Sequence, residues 1–131
     1  MPRLYVALYS PVQGNVKHWA LYLEGIGIFQ VVGDPMEFEL DIRLRVRPQD
    51  SARYSGSVYI AEVDDTRGFV QVVRNTEISN DVVHWNCQSF VLDVLEGLND
   101  DDILDDYDYQ EAKDKLEGIL DKSDSDESDG D

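Results

Sequence analysis

The sequence predicts an α+β fold, an antiparallel sheet of about five strands packed with two or three helices. Three observations predict it. Residues 4–63 run through short apolar or alternating segments separated by glycine, proline and serine turns, as antiparallel strands do. Beyond Asp64 the apolar residues recur at the three- and four-residue spacing of helices. A chain of 131 residues, 42% of them hydrophobic, can bury one core of modest size and forms one domain.

The elements follow in order. LYVALY (4–9) reads as a short buried strand. In KHWALYL (17–23), His18, Ala20 and Tyr22 alternate with Trp19, Leu21 and Leu23, so the segment is a strand with two distinct faces. Gly25 and Gly27 mark a turn, and IFQVV (28–32) returns as the second arm of a hairpin that GDP (33–35) ends. EFELDIRLRVR (37–47) alternates throughout. Phe38, Leu40, Ile42, Leu44 and Val46 line one face of a long half-exposed strand, and the acid-to-base run on the other face reads as solvated surface. SVYIAEV (57–63) is a further strand.

Phe69, Val72 and Val73, with Asp65 as N-cap, predict a helix over 66–75. Phe90, Val91, Val94, Leu95 and Leu98 form the stripe of a second helix. Cys87 is in phase with it, in the first turn, facing the sheet. Tyr109, Ala112, Leu116, Ile119 and Leu120 predict a third helix over 108–120. The run DDDILDDYD (100–108) lacks the glycine and closing glutamate of a calcium loop and reads as a linker with helix-capping aspartates.

Charge is uneven. Residues 1–99 hold 13 acidic and 8 basic side chains, whereas residues 100–131 hold 15 and 3. Residues 1–120 are the expected domain and 121–131 a disordered acidic tail. Ser123 and Ser128, each with an acidic residue three positions on, suit an acidophilic kinase. The net charge of −17 disfavours nucleic acid and anionic membrane surfaces and allows a basic protein partner at the tail. A single cysteine cannot form an intramolecular disulfide, and no apolar run approaches the roughly 20 residues of a membrane span. The expectation is a soluble intracellular protein, cytoplasmic or nuclear, without integral membrane association.

Cys87 at a helix start is either a small apolar core residue or a nucleophile. A helix N-terminus favours the thiolate, and its N–H groups can donate to an oxyanion. A nucleophile also needs a base. His18, on a strand facing the helix start across the core, is preferred over His84, which lies in the approach to the helix.

HWALYLEGIGIFQV (18–31) resembles the HWALYVG…G…VIH segment of the lecithin:retinol acyltransferase and H-Ras-like-suppressor family, and NCQSFV (86–91) resembles that family's NCEHFV. The order, histidine strand before cysteine helix, is that of circularly permuted NlpC-type papain-like proteins. The permuted PPPDE deSUMOylase-like peptidases carry a similar Asn-Cys-Asn motif. The resemblance covers 4–32 well and 66–98 loosely. It implies a permuted papain-like fold with Cys87 as nucleophile and His18 as general base. Gln30 stands where the family has a second histidine, and it can orient an imidazole without supplying a charge. Asn86, Gln88, Trp19 and Trp85 are the candidate oxyanion and substrate-lining residues. The two tryptophans are alternatively core packing. Gln88 and Ser89 replace the family's Glu-His, and an acidic tail stands where lipid-acting members carry an apolar anchor. Both departures argue against a phospholipid substrate.

The expected function is a cysteine-dependent hydrolase or acyltransferase acting through a Cys87 thioester on a small ester, thioester or amide substrate. The alternatives are a peptidase or isopeptidase on a protein substrate, and a non-catalytic binding module of the same fold. No cofactor or metal is implied.

Overall fold

The run LYVALY has no polar face because the strand it forms is covered on both sides. In the computed structural model, which describes residues 1–11 and 16–120, β1 (Arg3–Tyr9) lies between β2 (His18–Leu23) and β5 (Tyr54–Glu62). β3 (Gly27–Val32) and β4 (Glu39–Leu44) complete one antiparallel sheet in the order β4-β3-β2-β1-β5. The expected hairpin is present, with Leu21 opposite Phe29 and Tyr22 opposite Ile28.

Three helices, α1 (Thr66–Asn75), α2 (Cys87–Asp100) and α3 (Asp106–Glu117), supply the apolar side chains on one face. There Trp19, Leu21, Leu23, Phe29 and Val31 meet Phe69, Phe90, Val94, Leu95 and Leu116 in the main core. α1 and α2 come close where Gly97 faces Val72, since a Cβ at Gly97 would stand 2.9 Å from Val72 Cγ1. The caps follow the sequence: Asp65 accepts from Gly68 N, and Asp105 accepts from Asp108 N. Residues 100–108 thus end α2 and cap α3.

The opposite face carries a second, smaller core of Ala7, Tyr9, Ala20, Tyr22 and Ile28. It exists because the connection from β4 to β5 must join opposite edges of the sheet. β4 ends beside Gly27, and β5 begins beside Tyr9 at the other end. Residues 45–53, including a single 3-10 turn at Pro48–Asp50, form this strap, and its Val46 packs against the small core.

The strap corrects the reading of 37–47 as one long strand. β4 stops at Leu44 because Arg45 takes a left-handed conformation, φ 63°, which a continuing strand does not tolerate. Phe38, Leu40 and Ile42 pack on the helix-side core as the alternation requires. Leu44 instead is 61% exposed, and Val46 is carried to the other face. α3 begins two residues before the expected 108 and ends at Glu117, with β5 starting at Tyr54 rather than 57. The tail 121–131, with Ser123 and Ser128, lies outside the described residues. Among the described residues no helix is long and apolar enough to cross a membrane.

These two leucines separate the two descriptions of the sheet. Leu21→Ala, in the middle of the main core, is expected to cost about 2–5 kcal/mol. Leu44→Ala is expected to stay within about 0.5 kcal/mol, as exposed substitutions do. Urea denaturation of both variants checks this; equal losses would restore the uninterrupted strand.

Candidate functional site

His18 opens β2, and its ring lies on the face of Ala20 and Tyr22, against Tyr9 at a centroid distance of 5.4 Å. Tyr9 and His18 are direct cross-strand partners, so the contact follows from the register. His18 Nε2 lies 2.6 Å from Gln30 Oε1 on β3. Gln30 is directly opposite Asp41 on β4, and its Nε2 donates to Asp41 Oδ2 at 2.7 Å. The same oxygen accepts from Arg43 Nε at 2.8 Å. A polar chain therefore runs across three strands, from an imidazole through a buried amide to an ion pair at the sheet edge. Arg43 is well exposed, so the ion pair itself contributes little to stability.

The charges respond to this placement. Burial holds the His18 imidazole below its ordinary pKa, outweighing the Gln30 hydrogen bond and the Asp41 charge, which favour protonation. At Asp41 burial opposes ionisation. The hydrogen bonds from Arg43 and Gln30 and the neighbouring positive charge together win, and its carboxyl titrates below the usual range. Burial and the nearby Tyr54 push the Tyr9 phenol up to about 12, so it stays neutral beside the imidazole.

Cys87 is the first residue of α2, and the helix starts there because Asn86 caps it. Asn86 Oδ1 accepts from Gln88 N at 2.9 Å and Ser89 N at 3.3 Å, while Asn86 N donates to Ser89 Oγ at 3.1 Å. Two side chains tie this helix start to the residue before His18. Gln88 Nε2 donates to the Lys17 carbonyl at 2.9 Å, and Cys87 Sγ lies 3.7 Å from the same oxygen.

The sequence placed His18 facing the helix start across the core, and this needs correction. Trp19 turns into the helix-side core that holds Cys87, so the alternation of the strand turns His18 to the other face. Cys87 and His18 are brought to one end of one strand, with the Lys17 carbonyl as the group the thiol meets. His84 is exposed in the turn before α2.

The expected oxyanion and substrate-lining residues have other work. Trp19 is fully enclosed, and its indole nitrogen has no hydrogen-bond partner among the described residues. Trp85 donates from Nε1 to Asp93 at 3.0 Å and packs edge-on to Phe38 and Phe90, stapling the helix entry. Gln88 is 1% exposed and holds Lys17. Asn86 occupies the N–H groups of Gln88 and Ser89, which removes these two from any oxyanion role.

Sequence reasoning missed Asp41 and Arg43, which it assigned to the solvated face of β4. A signal was present. Gln30 sits inside the apolar run IFQVV, and a buried amide demands partners on neighbouring strands.

The lowered pKa of His18 sets the sign of a pH effect. The unfolded chain takes the proton first, near the model-peptide value of 6.5. The contribution of neutral His18 is therefore complete above that pH and declines as pH falls below it. The stability advantage of the wild type over His18→Gln, from urea melts between about pH 7.5 and 5.5, is expected to shrink on acidification. Parallel profiles would contradict it.

No curated protein and no solved structure matches the chain. A family model, DUF6540, described as a family of unknown function, matches residues 4–105, from β1 to the N-cap of α3. The chain belongs to that family.

Proposed function

We propose that the protein is a cysteine-dependent acyl-transfer enzyme, a hydrolase or acyltransferase, with Cys87 as nucleophile and His18 as general base. The observation that carries the reading is the His18–Gln30–Asp41 chain, a half-buried imidazole oriented by a buried amide, at the strand end where the helix bearing Cys87 begins. An imidazole, an amide that orients it and a thiol at a helix start are among the parts such chemistry needs, which supports the reading.

The reaction would run as follows. Cys87 passes its proton to His18, and the thiolate attacks the carbonyl carbon of an ester, thioester or amide. The tetrahedral adduct collapses as the imidazolium returns the proton to the leaving oxygen, sulfur or nitrogen. A thioester remains on Cys87. Water or an amine then attacks it with His18 again taking a proton, which returns to the thiolate as the product leaves. Proton transfer requires thiol and imidazole nitrogen to close to about 3 Å, directly or through one water. A peptide or isopeptide bond is the amide case of the same scheme.

A second reading has its own observation. Cys87 is 9% exposed and, with Gln88, meets the Lys17 carbonyl, which suits a structural tie between α2 and β2. On that reading the domain is a non-catalytic binding module.

Alkylation of Cys87 by iodoacetamide against pH separates the two. The acyl-transfer reading expects a thiolate titrating well below roughly 8.5, rising toward it in His18→Ala and partly in Gln30→Ala. Slow alkylation, indifferent to both substitutions, would leave only the binding module.

A further inference from the structure

The sheet-edge carboxylate reaches further into the site than its place on the outer strand suggests. We propose that Asp41 is a positioning residue: by accepting from the Gln30 amide it decides which end of that amide meets His18, and so which imidazole nitrogen carries the proton.

The argument is one of donors and acceptors. An ionised carboxylate only accepts, and Asp41 Oδ2 already receives Arg43 Nε at 2.8 Å. The amide group that meets it at 2.7 Å must be the NH2 of Gln30. Its carbonyl oxygen is thereby turned to His18, 2.6 Å from Nε2. Two acceptors do not form a hydrogen bond, so Nε2 carries the hydrogen. Nδ1 keeps the lone pair and is the atom able to take a proton. Reversing the amide would set its NH2 against Nε2 and its carbonyl against the carboxylate, which loses one bond and creates a repulsion. Tyr9 meets the imidazole as a tilted ring contact, with centroids 5.4 Å apart and an interplanar angle of 53°. Arg43 acts one step further out, holding the carboxylate in place and ionised.

The consequence for catalysis rests on the reading of His18 as the base. The tautomer does not, and the test keeps the two apart. Nitrogen-15 imidazole spectra at neutral pH report the protonated nitrogen directly. The wild type and Cys87→Ala are both expected to show His18 protonated at Nε2. Asp41→Asn, which retains an acceptor for the Gln30 amide, is expected to match them. Asp41→Ala frees the amide and is expected to lower the Nε2-H to Nδ1-H ratio by about tenfold, the weight of one hydrogen bond. Asp41→Lys offers only donors, turns the amide round and is expected to put the proton on Nδ1.

A wild-type His18 protonated at Nδ1 would overturn the proposal. So would unchanged spectra in folded Asp41→Ala and Asp41→Lys. Iodoacetamide rates on the same proteins test the other reading. An inverted tautomer with unchanged alkylation of Cys87 supports the positioning role of Asp41 and counts against His18 as the base.

Discussion

Gln30 and Gln88 are the buried polar side chains of the described core, and both reach the same place. Gln30 takes hold of the His18 imidazole, and Gln88 takes hold of the Lys17 carbonyl. A buried amide left without partners costs about 1–3 kcal/mol, so each of these contacts avoids a loss that is large beside the stability of a small domain. The first residues of β2 are thus clamped from two directions, by the sheet on one side and by the start of α2 on the other. Strand, helix and candidate site are fixed by one set of contacts.

This clamp also fixes register. Gln30 lies opposite Asp41, and a slip of β4 by one residue would place Leu40 or Ile42 there. The amide would lose its acceptor while the apolar side chains of β4 turned away from the helix-side core. Packing and hydrogen bonding therefore select the same pairing. The strap adds a constraint of its own. It covers the face on which His18, Ala20 and Tyr22 lie, so even the face without helices is partly closed. That cover, together with the tyrosines of the small core, is why β1 and β2 are apolar on both sides.

Much of the fold was legible because single segments decide it. The two faces of 18–23 and the stripe from Phe90 to Leu98 each carry their period within a few residues. Asp65 and Asn86 cap their helices through bonds that span only two or three residues. What escaped depends on segments far apart. Leu44 alternates correctly in sequence, but it closes β4 opposite Gly27 and stays exposed, and the chain turns away at Arg45. Asp41 and Arg43 look like any charged pair on a solvated strand. Their role appears once Gln30 is set beside them by the pairing of β3 with β4. Gln88 was read as a departure from a motif, when its burial makes it the residue that joins the helix to the strand.

The two sides of the site ask for different explanations. A structural tie accounts for Gln88 and for the contact of Cys87 with Lys17, since a helix start packed on the beginning of a strand must satisfy the carbonyl just before it. It does not account for the other side. An apolar residue at position 18 would pack against Tyr9 with no desolvation cost and would need neither Gln30 nor Asp41. The chain instead holds an imidazole there, keeps it neutral by burial, and orients it with an amide that an ion pair orients in turn. The Gln30 amide is costly to bury and is satisfied on both sides, by His18 and by Asp41. Such a chain is what the proposed proton transfer at His18 would require, since a base needs an imidazole that is oriented and neutral.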